Sequence, residues 1–220
     1  MNILLCLPNA ADFETVLAHI KVPDVEFIKG KIYSTQFLSH QVDICFTGET
    51  LFETAHSITK AITQKKYNLA LKAGFCTSWK ADLPIGEVVN VIKEKPISFN
   101  ADGNDLYEMK ALNDADFPHF KGSFINMNNS YMNVFLELRK VVSATVNRSE
   151  RMQDVSSLRE QYKADTETQN GIGFVYSCMF ERQPFYQINV VERNIITHEF
   201  DHELAKKSLN ETLISILAVI

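Results

Sequence analysis

Short apolar runs of strand length alternate with segments of helical periodicity along most of the 220-residue chain. The runs at residues 3–7, 42–46 and 69–73 are almost continuously apolar, which is typical of strands buried on both faces. Between them, residues 11–20 and 50–62 place apolar side chains every three or four positions, as on one face of a helix. The pattern predicts strands at residues 3–7, 25–32, 42–46, 69–73, 88–92, 141–146, 164–168 and 186–191, and helices at 11–20, 50–62, 171–180 and 202–219.

This alternation predicts a single α/β domain over residues 1–220, in which helices cover both faces of a mixed, mostly parallel sheet. Residues 93–121 interrupt the pattern with Asp, Asn, Pro and Gly throughout, and we interpret them as a long excursion from the domain. Ligands of such sheets bind beyond the carboxyl ends of the strands. The residues that follow each predicted strand are therefore the first candidates for a binding site.

Charge and composition exclude two classes of protein. The net charge of -5 and the pI near 5.7, without a basic cluster, argue against a nucleic-acid binder. The first apolar run is too short for a membrane span and has no basic segment before it, so we expect no membrane association. The four cysteines form no Cys-x-x-Cys pair, which predicts free thiols in a reducing, cytoplasmic environment. We predict no cofactor.

Short motifs follow the predicted strands in a recognisable order. They are Ala10-Ala11-Asp12-Phe13-Glu14, Thr47-Gly48 with Thr54-Ala55, Ala73-Gly74 with Leu83-Pro84-Ile85-Gly86-Glu87-Val88-Val89, Thr145-Val146-Asn147, and Glu167-Thr168-Gln169-Asn170-Gly171. Their order and spacing resemble the nucleoside phosphorylase superfamily, and the Thr-Val-Asn triplet resembles futalosine hydrolases in particular. The resemblance covers nearly the whole chain. It implies the three-layer nucleoside phosphorylase fold and a nucleosidase of the futalosine hydrolase or methylthioadenosine nucleosidase type.

The chemistry that this resemblance implies is scission of the N-ribosidic bond of a purine nucleoside, which places three requirements on the site. A carboxylate must position water, and Glu14 stands where the family has that residue. A second group must hold the ribose hydroxyls, and Asn170 stands in place of the family's Glu. Each residue has another interpretation, Glu14 as a solvated carboxylate at a helix start and Asn170 as a helix N-cap.

The third requirement is a group that donates a proton or hydrogen bond to the departing purine. The family spacing, counted from Asn170, reaches Arg193, which keeps its proton at physiological pH and cannot act as an acid. Arg193 can stabilise a purine anion, and Glu192 or Asn194 can donate instead if the backbone is shifted. The remaining interpretation is a surface ion pair of Glu192. We predict Glu14, Arg193 and Glu192 as catalytic residues. The predicted substrate-binding residues are Gly48, Ala73, Gly74, Asn147, Gln169, Asn170, Gly171 and Asn194.

Two of the family's active-site carboxylates are thus replaced, so we expect a protein that binds a purine base or nucleoside and hydrolyses it slowly. Whether water or phosphate is the acceptor stays open. The alternative is a catalytically inactive homologue that acts as a binding or assembly subunit. The expected partners are a small-molecule purine nucleoside or base, and further copies of the chain in a homo-oligomer, with a dimer favoured.

The segment His198-Glu199-Phe200-Asp201-His202 matches a different motif, the zinc-binding His-Glu-x-x-His. On a helix, both histidines would share one face and Glu199 would act as a base. The match straddles the predicted start of the terminal helix, with Asp201 as its cap. The two histidines then need not share a face, so we predict no metal site. A zinc metalloprotease remains the least favoured alternative.

Overall fold

The computed structural model describes residues 1–23, 26–97, 123–126, 132–146 and 163–220. Within these ranges the strands are Asn2–Leu7 (β1), Ile32–Phe37 (β2), His40–Phe46 (β3), Leu69–Ser78 (β4), Val88–Ile97 (β5), Phe124–Ile125 (β6), Arg139–Val146 (β7), Thr166–Thr168 (β8), Phe185–Asn194 (β9) and Glu199–Phe200 (β10). The helices are Glu14–His19 (α1), Leu51–Gln64 (α2), Asn133–Leu136 (α3), Gly171–Phe180 (α4) and His202–Val219 (α5), and a 3-10 turn at Ala11–Phe13 precedes α1.

Alternate residues of β1 belong to two different hydrophobic cores. Ile3, Leu5 and Leu7 pack in one cluster with apolar residues of α1 and α5, whereas Leu4 and Cys6 pack with residues of α2 and α4. Because successive side chains of a strand point to opposite faces, helices cover the sheet on both sides. The fold is therefore a three-layer α/β arrangement with a mixed, mostly parallel sheet, as the sequence predicts.

Part of the sheet closes on itself. Strand β9 pairs in parallel with β4 and antiparallel with β5, and the ladder continues from β5 through β7 and β8 back to β4. Strands β1, β3 and β2 extend the sheet from β4 in the other direction. The parallel ladders β3–β1–β4–β9 bring the carboxyl ends of these strands to one edge, where the site is built.

Several element boundaries differ from the predicted ones. Residues 26–31 do not form the strand predicted at 25–32, and β2 starts at Ile32 instead. Phe27 still packs against the rings of Tyr33 and Phe46, so a loop satisfies the apolar pattern that predicted a strand. Strands β4, β5 and β9 are longer than predicted, and β6, β10 and α3 are additional.

The start of each long helix is fixed by side-chain hydrogen bonds to free backbone N–H groups. Thr50 and Glu53 form a capping box on α2, and Asp201 accepts a hydrogen bond from the Leu204 N–H on α5. The cap of α5 is the one that the sequence predicts. It also fixes the position of the next residue, which contributes to the candidate site.

All four cysteines are buried and free, as predicted. Burial raises the pKa of each thiol. In the ranges that the structure describes, none of the helices has both the length and the apolar character needed to cross a membrane.

Candidate active site

A cavity of about 340 Å³ opens at the carboxyl ends of the strands. It is surrounded by residues that follow β1 and β3, by the ends of β7, β8 and β9, by part of β4 and by the first residue of α5. Its lining residues are Pro8, Asn9, Asp12, Glu49, Gly74, Phe75, Cys76, Thr77, Val146, Glu167, Thr168, Gln169, Asn170, Glu192, Arg193, Ile195 and His202. Of the residues predicted from sequence, this set contains Gly74, Gln169, Asn170, Glu192 and Arg193.

The carboxylate that reaches the cavity after β1 is Asp12 rather than Glu14. Asp12 lies in the 3-10 turn, where its Oδ2 accepts a hydrogen bond from Asn9 Nδ2 at 2.8 Å. Phe13 is buried in the core, and Glu14 follows as the exposed first residue of α1. Successive residues of a helical turn are rotated by about 100°, so a side chain two positions further on faces away from the cavity.

A bulge in β9 brings Glu192 and Arg193 together to the cavity. Cys76 pairs with Val191 and Thr77 pairs with Arg193, which leaves Glu192 as an extra residue on β9. Bulges redirect side chains in this way. Glu192 Oε2 lies 2.9 Å from His202 Nδ1, and the guanidinium of Arg193 lies 5.2 Å from the ring centroid of Phe200.

His202, the first residue of α5, joins two of the lining carboxylates. Its Nδ1 donates to Glu192 and its Nε2 donates to Asp12 Oδ1 at 3.0 Å. The imidazole also packs on the ring of Phe75, with 4.8 Å between centroids. The hydrogen bond to Glu192, followed by the bond to Asp12, raises the pKa of His202. A proton on each ring nitrogen is needed for both bonds, so this geometry favours the imidazolium form.

Asn170 faces the cavity although it occupies the N-cap position of α4. Its side chain makes no capping hydrogen bond within the described chain, and its Nδ2 points to the Gly48 carbonyl at 3.5 Å. Thr168 and Thr145 do the capping instead, because their hydroxyls accept hydrogen bonds from the first N–H groups of α4 at 3.1 and 2.8 Å. The Asn170 side chain therefore lines the cavity without serving as the helix cap.

Glu167 adds a buried carboxyl group that sequence reasoning quoted in a motif but gave no role. Its side chain is 4% exposed, and Oε2 accepts a hydrogen bond from the buried Trp79 Nε1 at 2.8 Å. Burial raises its pKa to about 7, against the lowering effects of Trp79 and Arg193. A carboxyl group that titrates near neutral pH in a cavity is suited to donate a proton.

Four other residues predicted to bind substrate, Gly48, Ala73, Gly171 and Asn194, do not line the cavity. Ala73 is buried in a hydrophobic core, and Gly48 turns the chain with φ of +78°. A Cβ on Gly171 would lie 2.6 Å from the Glu94 carboxylate, so glycine is needed there for packing. Asn194 accepts hydrogen bonds from the N–H groups of residues 196 and 197, which holds the turn before β10. Asn147 lies outside the described residues.

The His-Glu-x-x-His segment does not form one helix. His198 ends the turn before β10 with φ of +60°, Glu199 lies in β10, Asp201 caps α5 and His202 begins it. The two histidines therefore do not share a helical face. Among the described residues, no group of three or more His, Cys, Asp or Glu side chains is placed to hold a metal ion.

Comparison with known proteins finds matches among solved structures but not among sequences. No protein-family model matches the sequence, and no curated protein matches it. Solved structures match over essentially their whole length. A 5′-methylthioadenosine/S-adenosylhomocysteine nucleosidase of Campylobacter jejuni gives a TM-score of 0.81 at 16% identity, with 100% of both chains covered. A futalosine hydrolase mutant of Helicobacter pylori gives 0.75 at 14% identity, covering 98% of this chain and 97% of that one. An Arabidopsis thaliana 5′-methylthioadenosine nucleosidase gives 0.76 at 13% identity, with 99% and 94% covered.

These identities establish the fold alone. The chain has the same fold as these nucleosidases, and its cavity lies at the carboxyl ends of the strands.

Proposed function

We propose that the chain binds a purine nucleoside and hydrolyses its N-ribosidic bond, as a nucleosidase of the futalosine hydrolase or methylthioadenosine nucleosidase type. The observation that carries this proposal is a cavity in a nucleosidase fold that is lined by four carboxyl groups, Asp12, Glu49, Glu167 and Glu192, which come from separate parts of the chain. Hydrolysis of a glycosidic bond needs one carboxylate for water and another group for the leaving atom.

Each chemical requirement has a residue at the cavity. Asp12 holds the attacking water, because its two oxygens are fixed by Asn9 and His202. Asn170 accepts or donates a hydrogen bond to a ribose hydroxyl. Glu192 or Glu167 supplies the proton for the departing purine. Arg193 lines the same cavity, and its guanidinium stabilises negative charge on the departing base.

Water is the acceptor that the charges of the cavity favour. The lining includes Asp12, Glu49 and Glu192, whereas its cationic groups are Arg193 and His202, and the latter is bonded to two carboxylates. A phosphate dianion would be repelled by these carboxylates, while a water molecule would be oriented by them.

One observation favours the second candidate, an inactive binding homologue. Asn170 carries no charge to strengthen a ribose contact in the transition state, so the site can bind a nucleoside without accelerating its cleavage greatly. Under this candidate the protein retains purine affinity and releases no free base.

The deciding experiment is turnover of futalosine, inosine and 5′-methylthioadenosine, with release of free base measured by chromatography. We expect base release from at least one of them. Asp12→Asn should lower kcat by about 10²- to 10⁴-fold, because it removes the group that accepts the proton of water. The matched variant Glu14→Gln, two residues away and exposed, should change kcat less than threefold.

Two outcomes contradict parts of the proposal. Loss of activity in Glu14→Gln together with an active Asp12→Asn protein would restore the assignment made from sequence. Purine binding by calorimetry without any base release would favour the inactive homologue. We further propose a cytoplasmic homodimer without a metal or other cofactor. Sedimentation velocity tests the dimer, elemental analysis tests the absence of a metal, and cell fractionation tests the location.

A further inference from the structure

Arg193 lines the cavity, yet its guanidinium forms no hydrogen bond or ion pair with any residue that the structure describes. The neighbouring carboxylate of Glu192 is bonded to His202 instead, with 2.9 Å between Glu192 Oε2 and His202 Nδ1. The bulge in β9 explains this division, because it turns two consecutive residues, Glu192 and Arg193, to the same cavity. The N–H donors of Arg193 are thus not used within the described part of the protein.

Two neighbours show where the charge of Arg193 acts. On one side, the guanidinium carbon lies 5.2 Å from the centroid of the Phe200 ring in β10, within the range of a cation–π interaction. On the other side is Glu167, which lines the same cavity. Burial raises the pKa of Glu167, and the positive charge of Arg193 acts against this rise. The charge of the guanidinium therefore reaches into the cavity.

Purine bases present different edges to such a group. A 6-oxopurine, such as hypoxanthine or guanine, offers two neighbouring acceptors, O6 and N7, whereas adenine offers N7 beside the N–H donors of its 6-amino group. A guanidinium carries donors alone, in a planar fork that matches the O6 and N7 pair with two hydrogen bonds. Against adenine, one N–H group of the fork would face another N–H group. An unpaired arginine in a purine site therefore favours the 6-oxopurine.

We propose that Arg193 makes this site selective for 6-oxopurine nucleosides over adenine nucleosides by donating hydrogen bonds to O6 and N7 of the base, an inference that rests on the function proposed above. The same two bonds strengthen during cleavage, because the electron pair of the glycosidic bond leaves with the purine and spreads negative charge over the ring and O6. N3 and N9 stay free to take the proton that an acid of the cavity supplies.

Inosine and adenosine form the matched pair of substrates, since their ribose is the same and their bases differ at the 6-position and in the proton on N1. The measurements are kcat/KM from base release, and the dissociation constants of hypoxanthine and adenine from calorimetry. Wild-type protein should prefer inosine in kcat/KM, and hypoxanthine in binding, by roughly 10- to 100-fold.

Three variants test whether Arg193 causes this preference. Arg193→Lys keeps the charge but loses the planar fork, so most of the preference for inosine should disappear. Arg193→Gln presents one donor and one acceptor, the pattern that pairs with N7 and the 6-amino group of adenine, and should shift the preference towards adenosine. Arg182→Gln changes an exposed arginine that follows α4 and does not line the cavity, and it should keep the wild-type preference.

The outcomes separate the selectivity from the proposed function. Base release at equal kcat/KM from inosine and adenosine, or a preference for inosine that survives in both Arg193 variants, refutes the role of Arg193 and leaves the nucleosidase function intact. Selective binding of hypoxanthine that depends on Arg193, without base release from any nucleoside, supports the selectivity and refutes hydrolysis. Absence of both purine binding and base release refutes the two proposals together.

Discussion

Replacement of Glu167 by Gln should remove the contribution that titration of this carboxyl group makes to the pH dependence of the unfolding free energy. Glu167 is buried, and its pKa rises from the ordinary 4.5 to about 7. Gln has nearly the same shape, can still accept the hydrogen bond from Trp79 through its carbonyl oxygen, and stays neutral at every pH. The substitution therefore removes the titration and keeps the contact.

The sign follows from the direction of the shift. Because the folded state binds this proton more tightly than the unfolded state, its contribution to stability is fully present below pH 4.5 and is lost as pH rises through about 7. A shift of this size corresponds to roughly 3 kcal/mol in total. Between pH 5 and pH 8, wild-type protein should lose roughly 2–3 kcal/mol through Glu167.

The assay is urea unfolding of wild type and Glu167→Gln at pH 5 and pH 8. The unfolding free energy should fall between pH 5 and pH 8 by roughly 2–3 kcal/mol less in the variant than in wild type. All other titrating groups are common to both proteins, so their contributions cancel in this comparison. Glu211→Gln on the exposed face of α5 serves as the control and should show no such difference. The reasoning would be refuted if wild type and Glu167→Gln differed by less than about 0.5 kcal/mol in this pH-dependent change, or if the difference had the opposite sign.

Two further sets of substitutions test the ribose contact and the buried charged groups of the sheet. Asn170→Glu should raise kcat/KM in the base-release assay about tenfold, because it supplies a charged acceptor for the ribose hydroxyls. Asn170→Gln should not raise it. Equal kcat/KM values for the two variants would exclude an effect of charge. Lys72 is buried near Glu94, and burial lowers the pKa of Lys72 and raises that of Glu94. In urea unfolding at pH 8, Lys72→Met should lower the unfolding free energy by about 3–5 kcal/mol, because it leaves the buried Glu94 carboxylate without its partner. The double variant with Glu94→Gln should recover most of this loss. No recovery would mean that the two groups are uncoupled.

The fold could be predicted from the sequence because its buried strands leave a clear signal. Residues 3–7 are apolar without interruption since both faces of β1 are covered, and this pattern cannot be satisfied by an exposed element. The failure at residues 25–32 has the opposite cause. Phe27 packs against the core from a loop, and its apolar side chain contributes to an apolar pattern that is also typical of a strand. Pattern alone does not distinguish these two ways of burying a side chain.

The sequence predicts site residues at the carboxyl ends of strands, and five of them, Gly74, Gln169, Asn170, Glu192 and Arg193, line the cavity. Gly74 and Asn170 line the cavity because a regular strand and a helix start preserve the spacing of the motifs, whereas Glu192 reaches it through the bulge in β9. Glu14 was reached by counting through a segment that forms a 3-10 turn, whose tighter winding sends Asp12 to the cavity instead. Spacing carried over from distant relatives is least reliable where the backbone departs from regular geometry.

The same reasoning explains why His202 escaped assignment. Its only sequence signal was the His-Glu-x-x-His match, which pairs it with His198 on the assumption of a continuous helix. The chain instead turns at His198 and enters β10, and it starts the helix only at His202. The partners that matter, Asp12 and Glu192, are 190 and 10 residues away. A histidine at the first position of a helix that follows the last strand of such a sheet is therefore best searched for carboxylates at the neighbouring strand ends, because the fold places those residues within its reach.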